Sequence, residues 1–153
     1  MASLKGLLQA GNALRIIREF KIRAKDFIHA GEGSMEIRNA LKSLNLDAEL
    51  VRRICICAYE AEMNVVIHGG DGTISMALDD TGVVIEVTDD GPGIDDINLA
   101  LKEGYTTAGV EAQQMGFGAG MGLPNMVRNS DFFKIESEKD NGTYLLMCFK
   151  FDK

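Results

Sequence analysis

The chain is poor in the groups that soft-metal and disulfide chemistry need. Its 153 residues include two histidines and three cysteines. Cys55 and Cys57 stand two apart on an expected helix and so point in different directions, while Cys148 lies far away in an expected strand. All three read as reduced, mostly buried thiols of a cytoplasmic protein, not as a disulfide or a zinc site. Basic charge is also short: 16 Lys and Arg against 23 Asp and Glu leave a formal charge of -7 at pH 7. Phosphate backbones need a basic face, so nucleic acid is excluded as a broad partner. No apolar run approaches membrane-spanning length, and Met1 to Leu8 is too short and too soon broken for a secretory signal. No linker or internal repeat divides the sequence, and its length suits one domain over residues 1–153.

Glycine is what the chain has in excess: 17 residues, more than turns alone require. The run Gly116-Phe117-Gly118-Ala119-Gly120-Met121-Gly122-Leu123-Pro124-Asn125 alternates four glycines with other residues ahead of an apolar segment of helical length. Alternating glycines uncover backbone N–H groups that can face one concavity, and a helix starting near Leu123 would aim its own free N–H groups there. The pattern suits phosphate. It lacks the Lys-Ser/Thr closure of a Walker A loop, and it lies too late in the chain for a dinucleotide fingerprint. As side chains, Met115, Met121 and Met126 read as packing.

Taken in order, residues 1 to about 12 are weakly patterned. Leu14 to Phe20 predicts a strand, with Ile22 to Ile28 as a second strand or an extended arm. Gly31-Glu32-Gly33-Ser34 breaks the chain, and Ser34 is the expected N-cap of a helix whose stripe is Ile37, Leu41 and Leu44. Asp47 caps a long helix from Ala48 to about Ile67, with Val51, Ile54, Ala58, Ala61 and Val65 inward. Strands follow over Thr73 to Leu78 and Val83 to Thr88, joined by a turn at Asp80-Thr81-Gly82; the second is apolar enough to be central. Asp95 or Asp96 caps a short helix through Leu101. Residues 104–116 lack periodicity, and a structureless stretch of that length reads as an active-site lid. A helix from Leu123 to about Arg128 and strands over Phe132 to Ser137 and Thr143 to Phe151 complete the chain. Strands in consecutive pairs predict an α/β two-layer sandwich: a mixed, mostly antiparallel sheet with helices on one face.

Three separated pieces could build one site. On the long helix, Glu60 and Asn64 are four apart and share a face. They suit a proton acceptor and a neutral oxygen ligand for Mg²⁺, or else belong to a solvated stripe. Glu62 points elsewhere on the wheel and reads as solvated. Asp89 ends the buried strand and enters Asp89-Asp90-Gly91-Pro92-Gly93; it could accept a hydrogen bond from an adenine amino group, or merely cap a turn. Asp90 reads as its exposed neighbour. The glycine run is the third piece. Thr143 adds a hydroxyl or is simply a strand residue. His68, four beyond Asn64, reads as structural, since a metal triad on one helix would lack a fourth ligand.

In this combination the sequence resembles the GHKL-type (Bergerat-fold) ATP-binding domains shared by type II topoisomerases, a class of heat-shock chaperones, sensor histidine kinases and mismatch-repair proteins. The likeness spans roughly Asp47 to Phe151: Glu60 to Asn64, Asp89 to Gly93, Gly116 to Gly122 and Gly142-Thr143 stand in the order of that family's boxes. In its compactness the chain is most similar to bacterial anti-sigma-factor serine/threonine kinases, and Asp95 to Thr107 resembles their stress-response switch-kinase branch. The resemblance implies ATP and Mg²⁺ as cofactors, Glu60 as general base, Asn64 as metal ligand and Asp89 as adenine anchor. Gly91 and Gly93 would shape the pocket. Gly116, Gly118, Gly120, Met121, Gly122 and Leu123 would surround the phosphates, with Thr143 completing the set. It implies a small STAS-type antagonist protein as substrate, and a sigma factor or other regulator as a further partner. A nucleotide-dependent binding module without transfer, or an ATPase fragment needing a partner subunit, would carry the same boxes. Residues 110–115 are an insertion relative to the shortest switch kinases, and Ala30 to Ser34 departs from that branch. The N-terminal strand would suit a homodimer sheet or a monomer core equally.

Overall fold

The computed structural model describes residues 15–102 and 122–151. Its elements run β1 (Arg15–Ile22), α1 (Glu32–Lys42), α2 (Ala48–His68), β2 (Gly72–Leu78), β3 (Gly82–Asp89), α3 (Ile97–Ala100), α4 (Gly122–Asn129), β4 (Phe132–Ser137) and β5 (Thr143–Lys150). The strands form one five-stranded sheet in the order β1-β2-β3-β5-β4, antiparallel at each neighbouring pair. The helices cover one face of this sheet, as the paired strands predict. The lid expected at 104–116 falls outside the described residues.

The 21-residue helix α2 is the axis of the helical layer. Its start is fixed by Asp47, whose side chain accepts from the Leu50 N–H at 3.1 Å. Its inward stripe, Ile54, Ala58, Ala61 and Val65, is buried against the inner sheet face that presents Ile74, Ile85, Val87 and Met147. Burying each large apolar side chain there contributes about 1.5–3 kcal/mol. β3 lies in the middle of the sheet, and Val83, Ile85 and Val87 face the helices while Val84, Glu86 and Thr88 turn away. At its C-terminal end α2 has carbonyls to satisfy. The Lys25 N–H donates to Val66 O at 2.8 Å, and the Lys25 ammonium reaches Ile67 O.

Three expectations are corrected. Ile22 to Ile28 does not form a second strand: β1 ends at Ile22, and Lys25 takes a positive φ of 61° to cap α2. Ser34 is not the N-cap of α1. That position is Gly31, with φ 96° and no side-chain cap bond. Leu44 lies beyond the end of α1 and is exposed, so the buried stripe there is Ile37, Ala40 and Leu41.

Candidate functional site

Glu60 and Asn64 project from one face of α2 toward the first turn of α4. A β-carbon built on Gly122 would lie 3.1 Å from Glu60 Oε2 and 3.4 Å from Asn64 Oδ1. Asn125, one turn along α4, donates from Nδ2 to Glu60 Oε1 at 3.4 Å. The Glu60 carboxylate is half-buried, and loss of solvent pushes its pKa up from the ordinary carboxylate value, with the Asn125 amide partly opposing. A carboxylate tuned upward in this way is a better proton acceptor near neutrality. Leu123 has its side chain buried at 7% exposure, which leaves its backbone as the part able to meet a ligand.

The α4 segment is anchored to α2 at several points. Met126 is fully buried, and its carbonyl accepts from Cys57 Sγ at 3.7 Å. Arg53 Nε donates to Asn129 O at 2.9 Å, at the C-terminal end of α4, where a cation also suits the helix dipole. Burial pushes the Cys57 thiol up to about 12, so it is a packing group and not a nucleophile.

Asp89 ends β3 beside the C-terminal end of α2. A β-carbon on Gly69 would lie 3.0 Å from its Cγ. Gly69 is five residues beyond Asn64, about 7.5 Å of helix rise. Asp89 Oδ1 accepts the Gly91 N–H at 2.9 Å. Burial raises its pKa, and the N–H groups of Gly91 and Gly70 pull it back while the Asp90 charge pushes it further up. A carboxylate has about four acceptor sites, so these two donors leave it capacity for a third.

The glycines around Asp89 answer to the protein's own backbone. A β-carbon on Gly91 would overlap the Gly70 backbone nitrogen, and one on Gly142 would overlap the Asp89 carbonyl oxygen. Gly93 takes φ 75° with no room for a side chain against Glu138 O. These close approaches bind the 89–94 loop to the turn between α2 and β2 through Gly91, and to the turn between β4 and β5 through Gly93 and Gly142. Thr143 is the cross-strand register partner of Asp89. Its Oγ1 lies 2.8 Å from Ser137 Oγ, and Ser137 Oγ also accepts the Ile94 N–H at 2.8 Å. Sequence reading gave no role to Ser137, which stands between two glutamates at a strand end, or to Asn125, the last residue of the glycine run. Gly116, Gly118, Gly120 and Met121 lie outside the described residues.

Glu62 is a correction. It was expected to be solvated, yet it is 3% exposed. Its Oε2 accepts from the N–H groups of Gly31 at 3.0 Å and Gly33 at 3.2 Å. Its Oε1 accepts from Ser34 N at 2.8 Å and Ser34 Oγ at 2.5 Å. Glu62 therefore supplies, from α2, the anionic cap that α1 lacks in its own sequence. His68 is half-buried, and burial together with the Lys25 charge lowers its pKa. Among the described residues no cluster of His, Cys, Asp or Glu could hold a metal ion by itself. Nor is any described helix long and apolar enough to cross a membrane.

A helix bearing a carboxylate and an amide, a strand-end aspartate and a helix entered through glycine, all over an antiparallel sheet, define the Bergerat class of ATP-binding fold. A family model described as "Histidine kinase-like ATPase domain" matches residues 26–149, and the chain belongs to that family. Domains of this kind generally bind ATP with Mg²⁺. The chain is 37% identical over 108 residues to an anti-sigma F factor of Clostridium acetobutylicum, covering 67% of this chain and 72% of that one. It is 31% identical over 110 residues to the serine/threonine-protein kinase RsbT of Bacillus subtilis, covering 69% and 77%. Among solved structures, a chain of the SiaB–SiaC complex from Pseudomonas aeruginosa aligns with TM-score 0.53 at 15% identity, over 97% of this chain and 98% of that one. That likeness is one of fold.

Proposed function

We propose that this chain is an ATP-dependent serine/threonine protein kinase and anti-sigma regulatory factor of the cytoplasm, acting on a small STAS-type antagonist protein. A sigma factor or another regulator would be its second partner. The observation that carries the reading is the meeting of Glu60, Asn64 and Gly122. The space that a β-carbon would fill at Gly122 lies against a proton-accepting carboxylate and a neutral oxygen ligand, a donor set that fits Mg²⁺-ATP. Asn64 Oδ1 would hold Mg²⁺, which would supply neutralisation of phosphate charge. Asp89 accepts from the adenine amino group, with Thr143 beside it and Gly91 and Gly93 shaping the loop. Backbone N–H groups of Gly122 and Leu123, with those of the run from Gly116, Gly118, Gly120 and Met121, receive the phosphates.

Glu60 takes the proton of the acceptor's serine or threonine hydroxyl as its oxygen bonds to the terminal phosphorus. The bond from that phosphorus to the bridging oxygen breaks, and ADP leaves with the electron pair. Most of the rate would come from positioning and charge stabilisation.

The test is incubation with ATP labelled in its terminal phosphate and purified STAS-type proteins, with Glu60→Gln alongside. Serine or threonine labelling that Glu60→Gln abolishes supports the kinase. Tight nucleotide-dependent binding without labelling would support a sequestering module.

A further inference from the structure

Glu60 has a long side chain with several rotatable bonds, and a general base works only within hydrogen-bond reach of its proton. Something must aim it. Asn125 is the described side chain that donates to its carboxylate, from Nδ2 to Oε1 at 3.4 Å. The Asn125 amide is itself held. Arg128 Nη2 donates to Asn125 Oδ1 at 2.5 Å. A guanidinium only donates, so the oxygen of Asn125 must face Arg128 and its NH₂ must face Glu60. The reverse flip would set donor against donor on one side and acceptor against carboxylate on the other. The backbone beneath is fixed too: Asn129 Nδ2 donates to Asn125 O at 2.8 Å, and Met126 next in sequence is fully buried. One oxygen of Glu60 is thus gripped by Asn125, while the other faces Gly122.

From this geometry we infer that Asn125 is a positioning residue: held by Arg128, it aims the Glu60 carboxylate at the acceptor hydroxyl. The inference rests on the kinase reading above. At 3.4 Å the contact is long for a hydrogen bond, and the positioning role requires it to shorten when substrates bind. Misplacing a base by an ångström costs on the order of a hundredfold in rate, so a side chain that removes such freedom is worth a large factor.

Two substitutions separate aiming from packing. Asn125→Ala should lower kcat about tenfold or more and leave the affinity for Mg²⁺-ATP within about twofold. Asn125→Asp keeps the shape and can pair with Arg128, but it sets a carboxylate against Glu60 in place of a donor, so stability should fall at neutral pH and transfer should be as slow. Turnover is read as phosphate passed from Mg²⁺-ATP to the acceptor found by labelling, or to water where none is found. A third measurement needs neither partner nor nucleotide. In nitrogen–proton correlation spectra, the Asn125 side-chain NH₂ signals should move on Glu60→Gln and again on Arg128→Met. Wild-type kcat in Asn125→Ala or Asn125→Asp, or unmoved NH₂ signals, would each overturn the role. No turnover by the unmodified chain would instead overturn the kinase reading, and the positioning role with it, even if the NH₂ signals move.

Discussion

Gly122 and Glu60, 62 positions apart in sequence, are so close that a β-carbon on the glycine would lie 3.1 Å from the carboxylate Oε2. This contact ties the glycine run to the long helix and places a proton acceptor where phosphates are proposed to lie. It gives a sharp prediction for Gly122→Ala. Gly122 is the first residue of α4, where alanine gains less than the roughly 1 kcal/mol of a helix interior, and only the end of the Glu60 side chain must shift, so melting temperature should change little. Phosphoryl transfer should fall at least tenfold because the carboxylate is displaced from its aimed position. Calorimetry paired with the labelling assay checks this; a variant that transfers normally would count against Gly122 as part of the site.

Glu60 should also cost the fold stability. Burial raises its pKa in the folded state, so between the ordinary value of 4.5 and the raised one the folded chain holds more protons than the unfolded chain. Stability therefore falls as pH rises through that window and stays lower above it. Glu60→Gln should raise the melting temperature at neutral pH, and the gain should shrink toward zero below about pH 4. Thermal scans across that range read the effect directly. A loss of stability at neutral pH would mean that the carboxylate is held by stronger partners than Asn125.

Glu62, two residues along, should behave in the opposite way. Its carboxylate satisfies three backbone N–H groups and a hydroxyl in a site that is 3% exposed. Glu62→Ala strands those donors and should cost roughly 2–4 kcal/mol, from about 1–3 kcal/mol for each buried group left unsatisfied and partial relief by entering water. Urea denaturation measures it, with Mg²⁺-ATP affinity measured under folded conditions as the control. An unchanged midpoint would show that α1 does not depend on this cap.

These contrasts mark what could be read in the sequence. The bounds of α2 were legible because Asp47 is a strong local cap and the apolar stripe repeats at helical spacing. β3 as the middle strand was legible from its almost wholly apolar, β-branched run, interrupted by Glu86 alone. The role of Glu62 was not, because a helical wheel gives a direction about the helix's own axis and says nothing of what another element brings there. The clue was present in two halves: a helix entered through Gly31-Glu32-Gly33 without a capping side chain of its own, and an unassigned carboxylate on the next helix. Ser34 invited an N-cap reading for the same reason, since serine favours such positions and the true cap lies 28 residues away. Lys25 hid a turn inside what looked like an extended arm, because the carbonyls it caps belong to α2. In the candidate site, the face shared by Glu60 and Asn64 follows from spacing alone. Their approach to Gly122 and Asn125, and the pairing of Asp89 with Thr143, depend on how α4 and β5 dock, which no local pattern encodes.

Acid should weaken nucleotide binding earlier than an ordinary aspartate would allow. Burial raises the Asp89 pKa, so the carboxylate loses its charge at a higher pH than a solvated one. Affinity for Mg²⁺-ATP should fall as pH drops through that raised value, and Asp89→Asn should flatten the dependence. A binding profile of equal steepness in both proteins would remove Asp89 from the adenine site.

The most direct measurement is a calorimetric titration of Mg²⁺-ATP into the unmodified chain, Asp89→Asn and Glu60→Gln, under one set of conditions. Binding by the unmodified chain, retained by Glu60→Gln and weakened at least tenfold by Asp89→Asn, is the predicted result. Absence of binding, or the same affinity in the unmodified chain and Asp89→Asn, would contradict it.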